Sequence, residues 1–184
     1  EIHRTAGGFC KSRSGGAVIA LGAAIAAFSS IQQATALSTF ESELHTLVAT
    51  VRLLLALRRL AAFILGVTLA ASIVLFDNAS VIVQLLRRDL RQRTRDIRVH
   101  MGFLIDAIDN GEIIVQHVPT MVNAANTLTA AEDRERFARS WGALHGRAMS
   151  ASIGLDQSNH IYTNRTSEIL DIYESNVRNS GHIL

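Results

Sequence analysis

The sequence predicts an α/β fold with a mixed sheet, on three observations. Apolar segments with strand character alternate with longer segments of helical period, in the order three strands, helix, strand, helices, strand, helix. Residues 73–76 form a short β-rich run that ends at an acidic residue, Asp77, and a helical pattern starts at once. Finally, 48% of the 184 residues are hydrophobic and only 18% charged, enough apolar material for a single sizeable core.

Taken in order, residues 1–16 are polar and glycine-rich, and residues 1–9 make a poor strand. Residues 17–21 and 23–29 read as two strands meeting at Gly22 in a hairpin, and residues 34–37 suit a third. Ser38 and Glu41 then have the spacing of a capping box ahead of a long helix over about 40–63. Its apolar stripe is Leu44, Leu47, Val48, Val51, Leu54 and Leu55.

Residues 60–76 carry no charge, which reaches the lower limit for a membrane-spanning helix. Arg58 and Arg59 abut one end, Asp77 the other, and Gly66 divides the segment. A buried helix, loop and strand is therefore expected, and no membrane partner. After Asp77, residues Ala79, Val81, Ile82, Leu85 and Leu86 repeat at helical spacing. Asp77 stands where a helix cap belongs, and equally where open α/β sheets place ligands at the carboxyl ends of strands.

Another helix is expected over 96–109, stopping at Asn110 and Gly111, followed by a strand over 112–118 closed by Pro119, and a helix over 121–146. The division is a degraded or truncated first-strand region at 1–16, a domain at 17–146, and a polar C-terminal extension at 147–184 with an amphipathic piece at 169–177. The chain does not begin with methionine, so Glu1 is taken as the start of a processed or truncated chain.

Net charge is +2, and of 18 basic residues only Lys11 is a lysine. Six arginines, Arg87, Arg88, Arg91, Arg93, Arg95 and Arg98, crowd residues 87–98, a run suited to phosphate contact or to a solvated face paired with Asp89 and Asp96. The single cysteine, Cys10, excludes an internal disulfide and a cysteine-based zinc site. His45, His100, His117 and His145 show no metal spacing and are read as structural. Asn78 and Asn164 begin glycosylation-type triplets that are read as chance matches.

Several blocks resemble the ribonuclease H domain of copia-type retrotransposon polyproteins. They are Ala36, Leu37, Ser38 and Thr39 with Glu41 and Glu43; Arg58, Arg59 and Leu60; Asp77, Asn78 and Ser80; Asp96, Ile97, Arg98 and His100; Gly111, Glu112 and Ile113; Val118, Pro119 and Thr120; and Arg134, Glu135, Arg136 and Phe137. They keep order and spacing over residues 11–146. The resemblance implies a ribonuclease H-like fold, a mixed five-stranded sheet with helices on both faces. It also implies a site in which four acids hold two magnesium ions about 4 Å apart to cut the RNA strand of a hybrid.

Carried over position by position, the resemblance leaves two of those acids, Glu43 on the first long helix and Asp77 at the strand end, as remnant catalytic and, if active, metal-binding residues. Asn126 stands where the last acid belongs, and the only acid before Gly16 is Glu1, in a stretch that makes a poor strand. Glu132 and Asp133 lie about two turns beyond Asn126. A lysine-rich segment of the family is replaced by Ser30, Ile31, Gln32 and Gln33, which removes charge from a surface and suggests a protein contact at Ile31.

The expected function is that of a catalytically degenerate domain, a structural or nucleic-acid-binding subunit of a larger assembly such as an organellar ribosome. Arg87, Arg88, Arg91, Arg93 and Arg95 would touch nucleic acid. No cofactor is expected in that case, and the partners are proteins, with RNA or an RNA–DNA hybrid; an intracellular, for example mitochondrial, location suits it. The alternative is an active ribonuclease H with two magnesium ions. A first strand missing from the centre of the sheet would have to be supplied by residues 1–9 or by a partner.

Overall fold

A computed structural model describes residues 3–4, 10–32, 38–88, 94–130 and 132–145. Two short strands, β1 (His3–Arg4) and β2 (Cys10–Lys11), pair antiparallel. Next comes a longer antiparallel hairpin, β3 (Arg13–Ala20) and β4 (Ala23–Ile31). Its turn is Leu21 and Gly22, with φ of 53° and 85°. Both being positive defines the turn whose twist matches that of paired strands. β3 therefore starts at Arg13, inside the stretch that the sequence marks as a degraded strand. The third strand expected at 34–37 lies outside the described residues.

Helix α1 (Thr39–Leu65) starts where Ser38, extended, accepts a hydrogen bond from the Glu41 amide at 3.2 Å. It stops at Gly66, whose left-handed conformation (φ 65°) lets its N–H reach Ala62 O at 2.9 Å. Both signals are the ones legible in the sequence. Leu44, Leu47, Val48, Val51 and Leu55 are buried along one stripe and Leu54 is half-buried.

Strand β5 (Ser72–Phe76) leads into α2 (Ala79–Arg87), then α3 (Arg95–Asp109) and β6 (Ile113–His117). β5 and β6 pair in parallel, Ser72 opposite Ile113 through Phe76 opposite His117. The two helices between them are the crossover that a parallel pair requires. Alternation then decides the faces. Val74 and Phe76 of β5 and Ile113 and Val115 of β6 enter one core with the buried stripes of α1, α2 and α3. Ile73, Leu75 and Ile114 point the other way and are exposed.

Five expectations are corrected. The strands of the described residues fall into three two-stranded sheets and not one of five strands, because no strand joins β3 to β5. Among the described residues the β5–β6 pair is covered by helices on one face, not both, since α1, α2 and α3 all pack on the Val74 side.

The segment 60–76 divides at Gly66 as expected, but its helical part is not buried: Phe63 is 86% and Ile64 69% exposed. The stripe that holds α1 on the core ends at Leu55, so the last turns run past it. Among the described residues no helix is long and apolar enough to cross a membrane.

Residues 121–146 do not form one helix. Two 3₁₀ turns, Thr120–Val122 and Ala124–Leu128, precede α4 (Arg134–Leu144). Short polar side chains compete with the helix here: Asn123 Oδ1 accepts from Ala125 N, the Thr129 hydroxyl donates to Asn126 O, and Asp133 caps α4 by accepting from Arg136 N at 2.9 Å.

The hairpin is held on α1 by a polar cluster. Gln32, buried, donates from Nε2 to Ser14 Oγ (2.9 Å) and to Ser42 O (2.9 Å), and Thr46 Oγ1 donates to Ser14 Oγ at 2.9 Å. Gln32 is thus a tether inside the fold and not part of a surface that lost charge. Ile31, 42% exposed, does reach the surface.

Candidate functional site

Asp77 is not the cap of α2. That role belongs to Asn78, whose Oδ1 accepts from the Val81 amide at 3.2 Å. The Asp77 carboxylate is therefore left over from the helix start, at the carboxyl end of β5. Glu43 sits in the second turn of α1, on the residue before fully buried Leu44. Both acids are half-buried and both line one cavity of about 1020 Å³.

The cavity shows why they meet. One side is the β3 edge that faces away from β4, and the opposite side is the whole of β5. Leu47, Thr50 and Leu54 of α1 line it, and Arg139 and Leu144 of α4 contribute from another direction. Burial raises the Glu43 carboxyl above its ordinary value of 4.5, and the negative charge of Asp77 raises it further. A carboxyl whose ionisation is opposed in this way, in a recess beside a second acid, can hold a proton or share one cation with its neighbour.

Asn126 reaches the same cavity from the Ala124–Leu128 turn, so three positions marked by the resemblance converge. Its side chain has a local task, with Nδ2 donating to Thr120 O at 2.9 Å. Asp133 is occupied as the α4 cap and neither it nor Glu132 lines the cavity. Glu1 lies outside the described residues.

Among the described residues, the positions marked by the resemblance thus bring two carboxylates and one amide to the cavity. Two magnesium ions want several converging anionic oxygens, because each ion keeps a demanding octahedral shell. The residues present do not fit a two-ion centre, and no hydrolytic step follows from them.

The arginine run divides. Arg87 closes α2, Arg88 follows it in a left-handed conformation, and Arg95 opens α3, all three exposed. Arg88 forms a two-pronged ion pair with Asp109, its NH1 donating to Oδ2 at 3.0 Å, which ties the ends of α2 and α3 together. Arg98 is exposed on α3, while Arg91 and Arg93 lie outside the described residues.

Two groupings escape a reading by sequence spacing. Along α4 and its C-cap, Phe137 stacks on Trp141 at 5.6 Å and Trp141 meets the tilted ring of His145 at 4.0 Å, a ladder one turn apart whose members are exposed. His45 of α1 meets His100 of α3, with ring centres 4.8 Å apart, and Asp96 lies beside them. Asp96 and His100 are one helical turn apart, which sequence could have flagged; His45 comes from another element, and only the packing of α1 on α3 brings it there. No protein-family model matches the chain, and neither a curated protein nor a solved structure is found to match it.

Proposed function

We propose that this chain is a catalytically degenerate ribonuclease H-like domain, serving as a structural subunit of a larger, RNA-containing assembly. The observation that carries the reading is the single cavity that gathers Glu43, Asp77 and Asn126 between the edges of β3 and β5. Insert one strand there and β4, β3, the added strand, β5 and β6 become a mixed five-stranded sheet, antiparallel on one side and parallel on the other. That is the order the copia-type resemblance implies.

A strand position left open among the described residues suits a domain that is completed within an assembly, because sheet edges are templates for pairing. Two acids where four are needed suit loss of cleavage. The exposed Arg87, Arg95 and Arg98, with the aromatic ladder on α4, offer phosphate and base contacts. The active alternative draws support from the survival of both Glu43 and Asp77 in one recess.

Incubating the chain with a labelled RNA–DNA hybrid and Mg²⁺ tests the reading. The expected result is intact hybrid, together with sedimentation of the chain in a large particle that ribonuclease treatment disperses. Cleavage that Asp77→Asn abolishes would overturn it in favour of the nuclease.

A further inference from the structure

The geometry points to a transition-metal site of the zinc class, formed by His45, Asp96 and His100 where α1 meets α3. One potential ligand atom from each of the three residues lies within 4.8 Å of the other two. Two imidazoles and a carboxylate are the three-protein-ligand set that leaves a fourth position for water on Zn²⁺. Neutral imidazole suits zinc and its neighbours and does not suit Mg²⁺. The site is separate from Glu43 and Asp77, and its chemistry does not depend on the proposed ancestry.

The second observation is a pair of orphaned nitrogens. His45 Nε2 and His100 Nδ1 are both buried, and neither has a hydrogen-bond partner. A buried polar nitrogen without a partner is costly, and native proteins satisfy nearly all of them. Imidazoles serving only as packing would face a backbone carbonyl or a hydroxyl. These two face each other at a tilt of 62°, and an edge-to-face ring contact satisfies no lone pair. A shared metal ion accepts both.

Location supports the assignment. His45 follows fully buried Leu44 on α1, and His100 precedes fully buried Met101 on α3. The imidazoles therefore sit at the rim of the core, held by the packing of the two helices. Asp96, in the first turn of α3 and exposed, is one turn from His100 and closes the site from the solvent side. Tetrahedral ligands on bonds of about 2.0–2.1 Å stand about 3.4 Å apart, so separations of up to 4.8 Å leave about 1.4 Å or less to close, within the reach of side-chain rotation. The bound ion would clamp α3 to α1.

The test uses the intact 184-residue chain, stripped with a chelator and titrated with Zn²⁺ or Co²⁺. Zinc at a hundredfold excess over Kd is expected to raise Tm by ~5–10 °C, and Co²⁺ to give the visible absorption bands of a tetrahedral nitrogen–oxygen site. His45→Leu and His100→Leu each abolish both signals. They fold without metal, since an aliphatic side chain replaces an unsatisfied imidazole, and their metal-free Tm stays within a few degrees of the parent. Asp96→Asn weakens binding by about tenfold or more, while Glu43→Gln and Asp77→Asn leave it unchanged.

Three results would overturn the site. They are absence of both signals in the parent chain, a zinc response that persists in the His45→Leu/His100→Leu double variant, and a shift given by Mg²⁺ but not Zn²⁺. None of them bears on the ribonuclease assay, so the two proposals fail separately.

Discussion

Glu43 and Asp77 stand on different elements yet act on each other across the cavity, the charge on Asp77 adding to what burial already does to the Glu43 carboxyl. For Glu43 the relationship is a cost of ionisation, set by burial first and by the neighbouring charge second. Because the folded chain holds the Glu43 proton more tightly than the unfolded chain does, Glu43 contributes stability below pH 4.5 that is lost as pH rises through its folded value. Glu43→Gln is accordingly expected to raise Tm at pH 7 and to give no gain below pH 4. Calorimetry across that range reads the difference, and a gain independent of pH would refute the assignment. Asp77→Asn should bring the Glu43 titration, followed by carboxyl NMR, part of the way down, since burial remains.

The cap of α2 separates neighbours that sequence alone confuses. Asn78→Ala removes the acceptor of the Val81 amide and is expected to cost ~1 kcal/mol, read as a Tm lower by ~2–4 °C. Asp77→Ala removes no cap, so an equal fall there would contradict the geometry.

At Gly16, β3 packs closely against Thr50 of α1. A methyl group at this position would collide with Thr50 Oγ1 and approach Phe28 Cε1 to 2.7 Å. Gly16→Ala should destabilise by ~1–3 kcal/mol, seen as a lower urea midpoint at unchanged slope. The added Thr50→Ala change should recover only part, because the Phe28 ring still obstructs.

Leu21 occupies a left-handed turn position that L-residues with bulky side chains avoid, and its side chain is fully exposed. Leu21→Asn loses no packing and makes an Asn-Gly turn. A gain of ~1 kcal/mol in the urea-derived stability is expected.

Much of this was legible in the chain because the signals are local. Ser38 and Gly66 bound α1, the 44–55 stripe chooses its face, and the run into Asp77 is a strand that meets a helix. What was hidden depends on partners distant in sequence. The apolar residues at 60–65 look like core material, yet α1 has outrun the elements that would cover them. Gln32 looks like surface until Ser14, Ser42 and Thr46 are placed around it. Residues 121–130 have helical composition, but Asn123, Asn126 and Thr129 turn their hydrogen bonds inward over two or three residues. The site was half visible: Glu43, Asp77 and Asn126 were marked one by one, while their common recess needed the fold.

The gap between β3 and β5 also divides the molecule in time. Among the described residues the hairpin meets the remainder through α1, the Ala124–Leu128 turn and α4, with no backbone ladder crossing to β5. Amide exchange should therefore run on two clocks, with the β3–β4 protons replaced through local opening and those of β5–β6 only when the main core gives way. A strand seated in the gap would bring both sets to a single rate, and the loss of the faster one would report that the domain had found its place.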